Sequence, residues 1–179
     1  EEISAIGSLR EHPKLRQLGA EIMNQMSTRG TSSKEVFWQN WDREQGFVSA
    51  LRAEGIKFTL RKLPQGTYHL FLYHQPLSDL SILKGAPISH LDVIQCAVQD
   101  LTPLRDLPLD TLSVNTDALV DLGPLRGTKL KRLTLNSSRL SDLAPLNGLP
   151  LKGLILQNCA SAADVSPLAQ IATLEDVVV

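Results

Sequence analysis

The sequence predicts an α/β solenoid, with a parallel β-sheet on the concave face, turns or 3-10 segments on the convex face, and an N-terminal helical plus β-hairpin cap. Three observations lead there. Aspartates recur at 79, 100, 121 and 142, each 21 residues apart, and Asp164 follows after 22. Leucine supplies 32 of 179 residues, and 24 of those fall from Leu77 onward. All eight aromatic residues (Phe37, Trp38, Trp41, Phe47, Phe58, Tyr68, Phe71, Tyr73) lie between 37 and 73, which places an architectural boundary near residue 74.

Composition narrows the class. A 42% hydrophobic share with a net charge of −1 describes a folded globular chain. Eighteen basic against 19 acidic residues leave no excess to displace phosphate counterions, so nucleic acid is not expected as the main partner. No apolar run is long enough for a helix to cross a bilayer. The chain opens at Glu1 without Met or a charged-then-apolar leader, as a fragment or a mature product would.

Each repeat carries several columns in register. After each aspartate stands an apolar residue (Leu80, Leu101, Leu122, Leu143, Val165). Three positions past the aspartate come Ile82, Pro103, Pro124, Pro145 and Pro167, each followed by leucine. Twelve positions past the first four aspartates the pattern L-x-[LV] appears, in Leu91/Val93, Leu112/Val114, Leu133/Leu135 and Leu154/Leu156. A short strand alternates sides, so these residues face inward while Asp92 and Ile94 face out. The prolines lack an N–H and cannot continue a ladder, so the return path is a turn or 3-10 segment. One unit cannot bury its leucines alone; stacked units can.

Written as L-x-x-L-x-L-x-x-[NC]-x-L, the units read Leu109–Leu119 (LDTLSVNTDAL), Leu130–Leu140 (LKRLTLNSSRL) and Ile88–Val98 (ISHLDVIQCAV). Over about residues 68–179 the chain resembles a leucine-rich repeat protein. Ser141–Asn158 (SDLAPLNGLPLKGLILQN) is similar to the short bacterial repeats of internalins and of repeat regions attached to bacterial Ser/Thr kinases. The resemblance implies a protein-recognition module. One departure stands out: the [NC] column holds Cys96, Asp117, Ser138 and Cys159, never Asn.

Upstream, Lys57–Lys62 (KFTLRK) alternates apolar and polar residues, Leu63–Thr67 (LPQGT) is a turn, and Tyr68–Tyr73 fits the first repeat strand. Residues 56–73 therefore read as a β-hairpin entering the first repeat, its first strand shielding the sheet edge. Residues 74–179 are repeats of 21–23 residues, and residues 1–55 a helical cap. In that cap Ile3, Ile6 and Leu9 follow a helical period, and Pro13 starts a second helix through Leu15, Leu18, Ile22 and Met26. Ser33 caps a third, carrying Val36, Phe37, Trp41, Val48 and Leu51 and ending near Gly55. Trp38 or Trp41 is the alternative anchor if the segment binds rather than caps.

No catalytic residue and no metal or cofactor site is expected. Phosphate-loop, nucleophile-elbow, zincin, dinucleotide and kinase motifs are all missing from the sequence. The aspartate column reads as turn chemistry, each carboxylate accepting the N–H two residues on, in preference to a cation ladder. Cys96 and Cys159 lie three units apart, about 14 Å in stacked strands, so both are expected as free buried thiols; the missing disulfide framework leans toward a reducing compartment. His69 and His90 hold equivalent positions and read as surface neighbours.

Function is expected on the concave face. Its residues are Phe71, Tyr73, His90, Asp92, Ile94, Thr111, Ser113, Asn115, Arg132, Thr134, Asn136 and Gln157, aromatic at one end and amide-rich in the middle. They would engage a protein or peptide, with Phe71, Tyr73 and Ile94 as the anchor cluster. The alternative is a structural or regulatory segment of a larger bacterial protein, such as a Ser/Thr kinase, without its own ligand. Val179 falls inside the last strand pattern with no polar closing unit, so further chain or a partner is expected over that end.

Overall fold

A computed structural model describes residues 46–159 and 164–178, all within Glu44–Val179, the second of two compact units into which the chain divides. The helical positions from Ile3 to Trp41, and the anchor role considered for Trp38 and Trp41, lie outside the described residues. Seven strands form one sheet in chain order: β1 (Phe58–Lys62), β2 (Tyr68–Tyr73), β3 (Ile88–Ile94), β4 (Thr111–Asn115), β5 (Arg132–Asn136), β6 (Gly153–Gln157) and β7 (Asp176–Val178). β1 and β2 are antiparallel, and every later pair is parallel. Leu70, Leu91, Leu112, Leu133 and Leu154 stand on consecutive rungs of the ladder and are all buried. One continuous core runs from Phe47 to Ile171.

Each return path is a short 3-10 turn held by its aspartate. Oδ1 of Asp79, Asp100, Asp121, Asp142 and Asp164 accepts the N–H two residues on, at 2.7–2.9 Å. The leucines after the first four aspartates plug into the core, and proline follows in the first turn of the last four segments. This geometry satisfies the start of a helical turn that would otherwise leave its N–H groups bare.

The turn out of the first four segments comes in two forms. Lys84–Gly85, Arg126–Gly127 and Asn147–Gly148 pair an extended residue with a glycine at φ +72, +75 and +79. That is a type II turn, closed by Ala86, Thr128 and Leu149 N–H donating to the carbonyls of Leu83, Leu125 and Leu146 at 3.0–3.2 Å. In the unit between β3 and β4 Asp106 replaces the glycine. There Arg105 swings to φ −55, ψ −41, and Leu107 N–H still reaches the Leu104 carbonyl at 3.1 Å, now across a right-handed turn.

At the first edge the described residues include a helix over 46–53. Gly55 (φ +68) ends it: its N–H donates to the Arg52 carbonyl, and Ile56 N–H donates to that of Leu51 at 2.9 Å. These are the paired bonds of a Schellman cap, with Ile56 folded back to the core. Phe47 packs edge-to-face on Tyr68, with centroids 6.2 Å apart.

One expectation needs correction. Cys96 is buried but Cys159 is only half-buried, although both thiols are free. The [NC] column also splits in the structure. Cys96 and Cys159 turn their Sγ onto the carbonyls two residues back, Ile94 at 3.6 Å and Gln157 at 3.2 Å. Gln75 does the same, donating to the Tyr73 carbonyl at 2.6 Å. Each follows a residue in the left-handed region, His74, Gln95 or Asn158. Asp117 and Ser138 are instead exposed, and their predecessors Thr116 and Ser137 are buried. Ser137 Oγ donates to the Leu119 carbonyl at 2.8 Å. The difference lies in the backbone: Thr116 and Ser137 stay out of the left-handed region that His74, Gln95 and Asn158 enter, and their hydroxyls are the buried groups.

Candidate interaction face

Among the described residues the sheet has one face on the core and one open. Register fixes what the open face presents, because residues two apart point to the same side. Along the strand starts run His69, His90, Thr111, Arg132, Gly153 and Asp176. The middle row is Phe71, Asp92, Ser113, Thr134, Ile155 and Val178, and the far row Tyr73, Ile94, Asn115, Asn136 and Gln157. All twelve residues singled out in the sequence therefore lie on this face. Arg132, Tyr73 and Gln157 are exposed, and the other nine are half-buried by their neighbours.

β2 and β3 build a connected cluster. The His69 ring stacks on Phe71 with centroids 3.8 Å apart, and Phe71 lies at 11° to Tyr73. His69 Nε2 meets Asp92 Oδ2 at 2.5 Å, tying β2 to β3. His90 sits 5.3 Å from His69 between ring centroids and shares a contact of 3.0 Å between its Nδ1 and Ser89 Oγ. Ser89 is the extra residue of a bulge opposite Tyr68 and His69, and its Oγ meets Thr67 Oγ1 at 2.6 Å. Burial, and then the neighbouring His69, hold His90 below the ordinary imidazole value, while Asp110 and Asp92 pull the other way.

The middle and far strands are quieter. Asn136 Nδ2 donates to Gln157 Oε1 at 3.4 Å, and Asn158 Nδ2 donates to Asn136 Oδ1 at 3.1 Å, an amide run along the rim. Among the described residues no three His, Cys, Asp or Glu side chains gather to hold a metal. The aspartate column is committed elsewhere: the Ser81 and Ser166 hydroxyls, and then their N–H groups, keep Asp79 and Asp164 below the usual carboxylate range.

Sequence reasoning missed two members of this face. In the antiparallel register Arg61 stands opposite His69 and Thr59 opposite Phe71, and both are exposed. The alternation in KFTLRK already carried that signal, since Phe58 and Leu60 pair with the buried Leu72 and Leu70.

No family model matches the chain, and no curated protein does. Among solved structures it is similar to an internalin C2 from Listeria monocytogenes, with 28% identity and a TM-score of 0.50 over 60% of this chain and 49% of that one. The chain thus spans about half the length of that neighbour. Among the described residues no helix is long and apolar enough to cross a membrane. Parallel strands on consecutive rungs, inward leucine columns, 3-10 returns and this likeness agree with one another, and on them the fold is that of a leucine-rich repeat protein, an internalin-like solenoid.

Proposed function

We propose that the chain is a binding module that engages a protein or peptide across the open face of the sheet. The observation that supports it best is the ring pair at one end. Phe71 and Tyr73 lie nearly parallel on the open side, with Tyr73 46% exposed, while the inward residues of the same strand are buried. Aromatic side chains held in place by neighbours give up little entropy on contact and carry much of an interface's energy. Amides and hydroxyls of Ser113, Asn115, Thr134 and Asn136 extend the surface with hydrogen-bonding groups that tolerate a wet rim. The same proposal gives β7 a cover, from further chain or from a partner, because Val177, in the inward column, stands 48% exposed.

Affinity capture with the full chain as bait tests the reading. A Tyr73→Ala/Asn115→Ala variant should lose most of the recovered partner. A convex-side variant, Arg105→Ala/Lys129→Ala, should keep it. Equal recovery with all three baits would overturn the assignment of the open face.

A further inference from the structure

Extended onto β1, the row at the strand starts reads Arg61, His69, His90, Thr111, Arg132 across five neighbouring strands. Four steps of about 4.8 Å make it roughly 19 Å long, the reach of about six extended residues. Its charge is one-sided. Asp92, the acidic residue of the face in these strands, is bonded to His69, and Asp110 beside the row is paired with Lys131 at 2.9 Å. Among the described residues neither Arg61 nor Arg132 has an ion-pair partner, and both are exposed. The whole chain carries a net charge of −1, so this row runs against the balance of the molecule.

We infer that this half of the face takes an acidic, extended protein segment. Its carboxylates lie along Arg61, His69, His90 and Arg132, an apolar side chain rests on the Phe71–Tyr73 pair, and the grip tightens as pH falls below neutrality. The inference rests on the open-face reading above and adds the partner's chemistry. His90 is the proton-sensitive member. Facing it are His69 from β2, Thr111 from β4 with Asp110 just before it, Arg132 from β5, and Asp92 and Ser89 on its own strand. In the free chain His90 Nδ1 lies 3.0 Å from Ser89 Oγ, a contact in which either atom can be the donor. A carboxylate laid against it supplies the opposite charge that burial and His69 withhold, so binding takes up a proton.

The test uses the full chain and a fluorescent 12-residue peptide of three Glu-Ser-Glu-Leu repeats, read by anisotropy at fixed salt. Affinity should rise about fivefold or more from pH 7.5 to 5.8. His69→Gln/His90→Gln should abolish that rise. His74→Asn, which removes a histidine beyond the rows and suits its φ of +51, should retain it. Arg61→Ala/Arg132→Ala should weaken binding about tenfold at both pH values. Three results would each overturn the inference: a rise that survives the histidine pair, equal affinity for a Lys-Ser-Lys-Leu peptide, or tighter binding of a single-stranded oligonucleotide of equal charge. Failure of the acidic peptide to bind, while capture stays sensitive to Tyr73→Ala/Asn115→Ala, overturns this inference alone. Capture indifferent to that variant removes the open-face reading itself.

Discussion

At its first edge the sheet is closed by β1, which runs antiparallel to β2 and carries exposed Thr59, Arg61 and Lys62, while Phe47, Val48 and Leu51 of the 46–53 helix join the same core. At its last edge β7 has three residues, all exposed, and Val177 stands on the rung where Leu154 is fully buried one strand earlier. The repeat is the same at both ends. What differs is what lies on the outer side of the terminal strand. A repeat unit draws most of its stability from its two neighbours, so an unstacked unit keeps its backbone pattern and loses half of its burial. The open face follows the same gradient, from a bonded ring cluster on β2 and β3 to the aliphatic Ile155 and Val178 on β6 and β7.

The sharpest way to break this comparison is to cut equivalent inward residues at both ends. Leu91 is fully buried, and Leu91→Ala should cost about 2–5 kcal/mol in urea unfolding, transfer and cavity terms together. Val177→Ala should change stability by no more than about 0.5 kcal/mol, because its side chain already meets water. Similar losses at the two sites would mean that β7 is covered in solution and that the gradient does not exist.

A smaller effect comes from the turns. Gly85 and Gly148 hold the same type II position at opposite ends, with open space where a Cβ would sit, so Ala there pays only for left-handed backbone. Each substitution should cost about 1–2 kcal/mol. Amide exchange separates the two. Gly85→Ala should lower protection across β2 to β5, whereas Gly148→Ala should act mainly on β6 and β7, where fewer neighbours hold the chain. Asp106→Ala, in the right-handed version of the turn, should shift stability by less than about 0.5 kcal/mol. Uniform loss of protection in both glycine variants would show that the stack unfolds as one unit and that its ends are not energetically distinct.

These turns also mark where the sequence was and was not legible. The aspartate and leucine columns were readable because each does one repeated job, an N–H bond or an inward plug, at a constant interval. The open face was readable for the same reason: strand alternation places Phe71, Asp92 and Ser113 side by side once Leu70, Leu91 and Leu112 are known to point in. The split within the [NC] column was not legible, because identity in alignment is not identity in backbone. Asp117 and Cys96 occupy one column, yet the residue before each decides which side chain enters, and Gln95 takes φ +53 where Thr116 does not. The glycine-to-Asp106 switch was likewise visible as a letter, but its consequence is a change of turn hand that only dihedrals express. Arg61 was missed because the repeat pattern stops at β2, while the sheet continues one strand further by hairpin pairing.

The finest discrimination between the ends is by pH, since the described ring cluster lies on β2 and β3. Burial and the nearby His69 depress the folded pKa of His90 below its unfolded value near 6.5, so the unfolded chain binds the proton more readily. The stability this contributes is present above the unfolded pKa and is lost as pH falls through the lower, folded one. The free chain should therefore show a lower Tm at pH 5.5 than at pH 7.5. His90→Gln, which cannot take up the proton, should flatten that part of the curve while leaving the Tm at pH 7.5 nearly unchanged. Amide exchange should place the acid-induced loosening in β2 and β3, with β6 and β7 unaffected. The sign is opposite to the one expected for the complex, because an acidic segment replaces the repulsion at His90 with attraction. One titration of the chain alone and one with the peptide bound thus read the same imidazole from both sides: parallel slopes would exclude it as the sensor, and slopes of opposite sign would assign it.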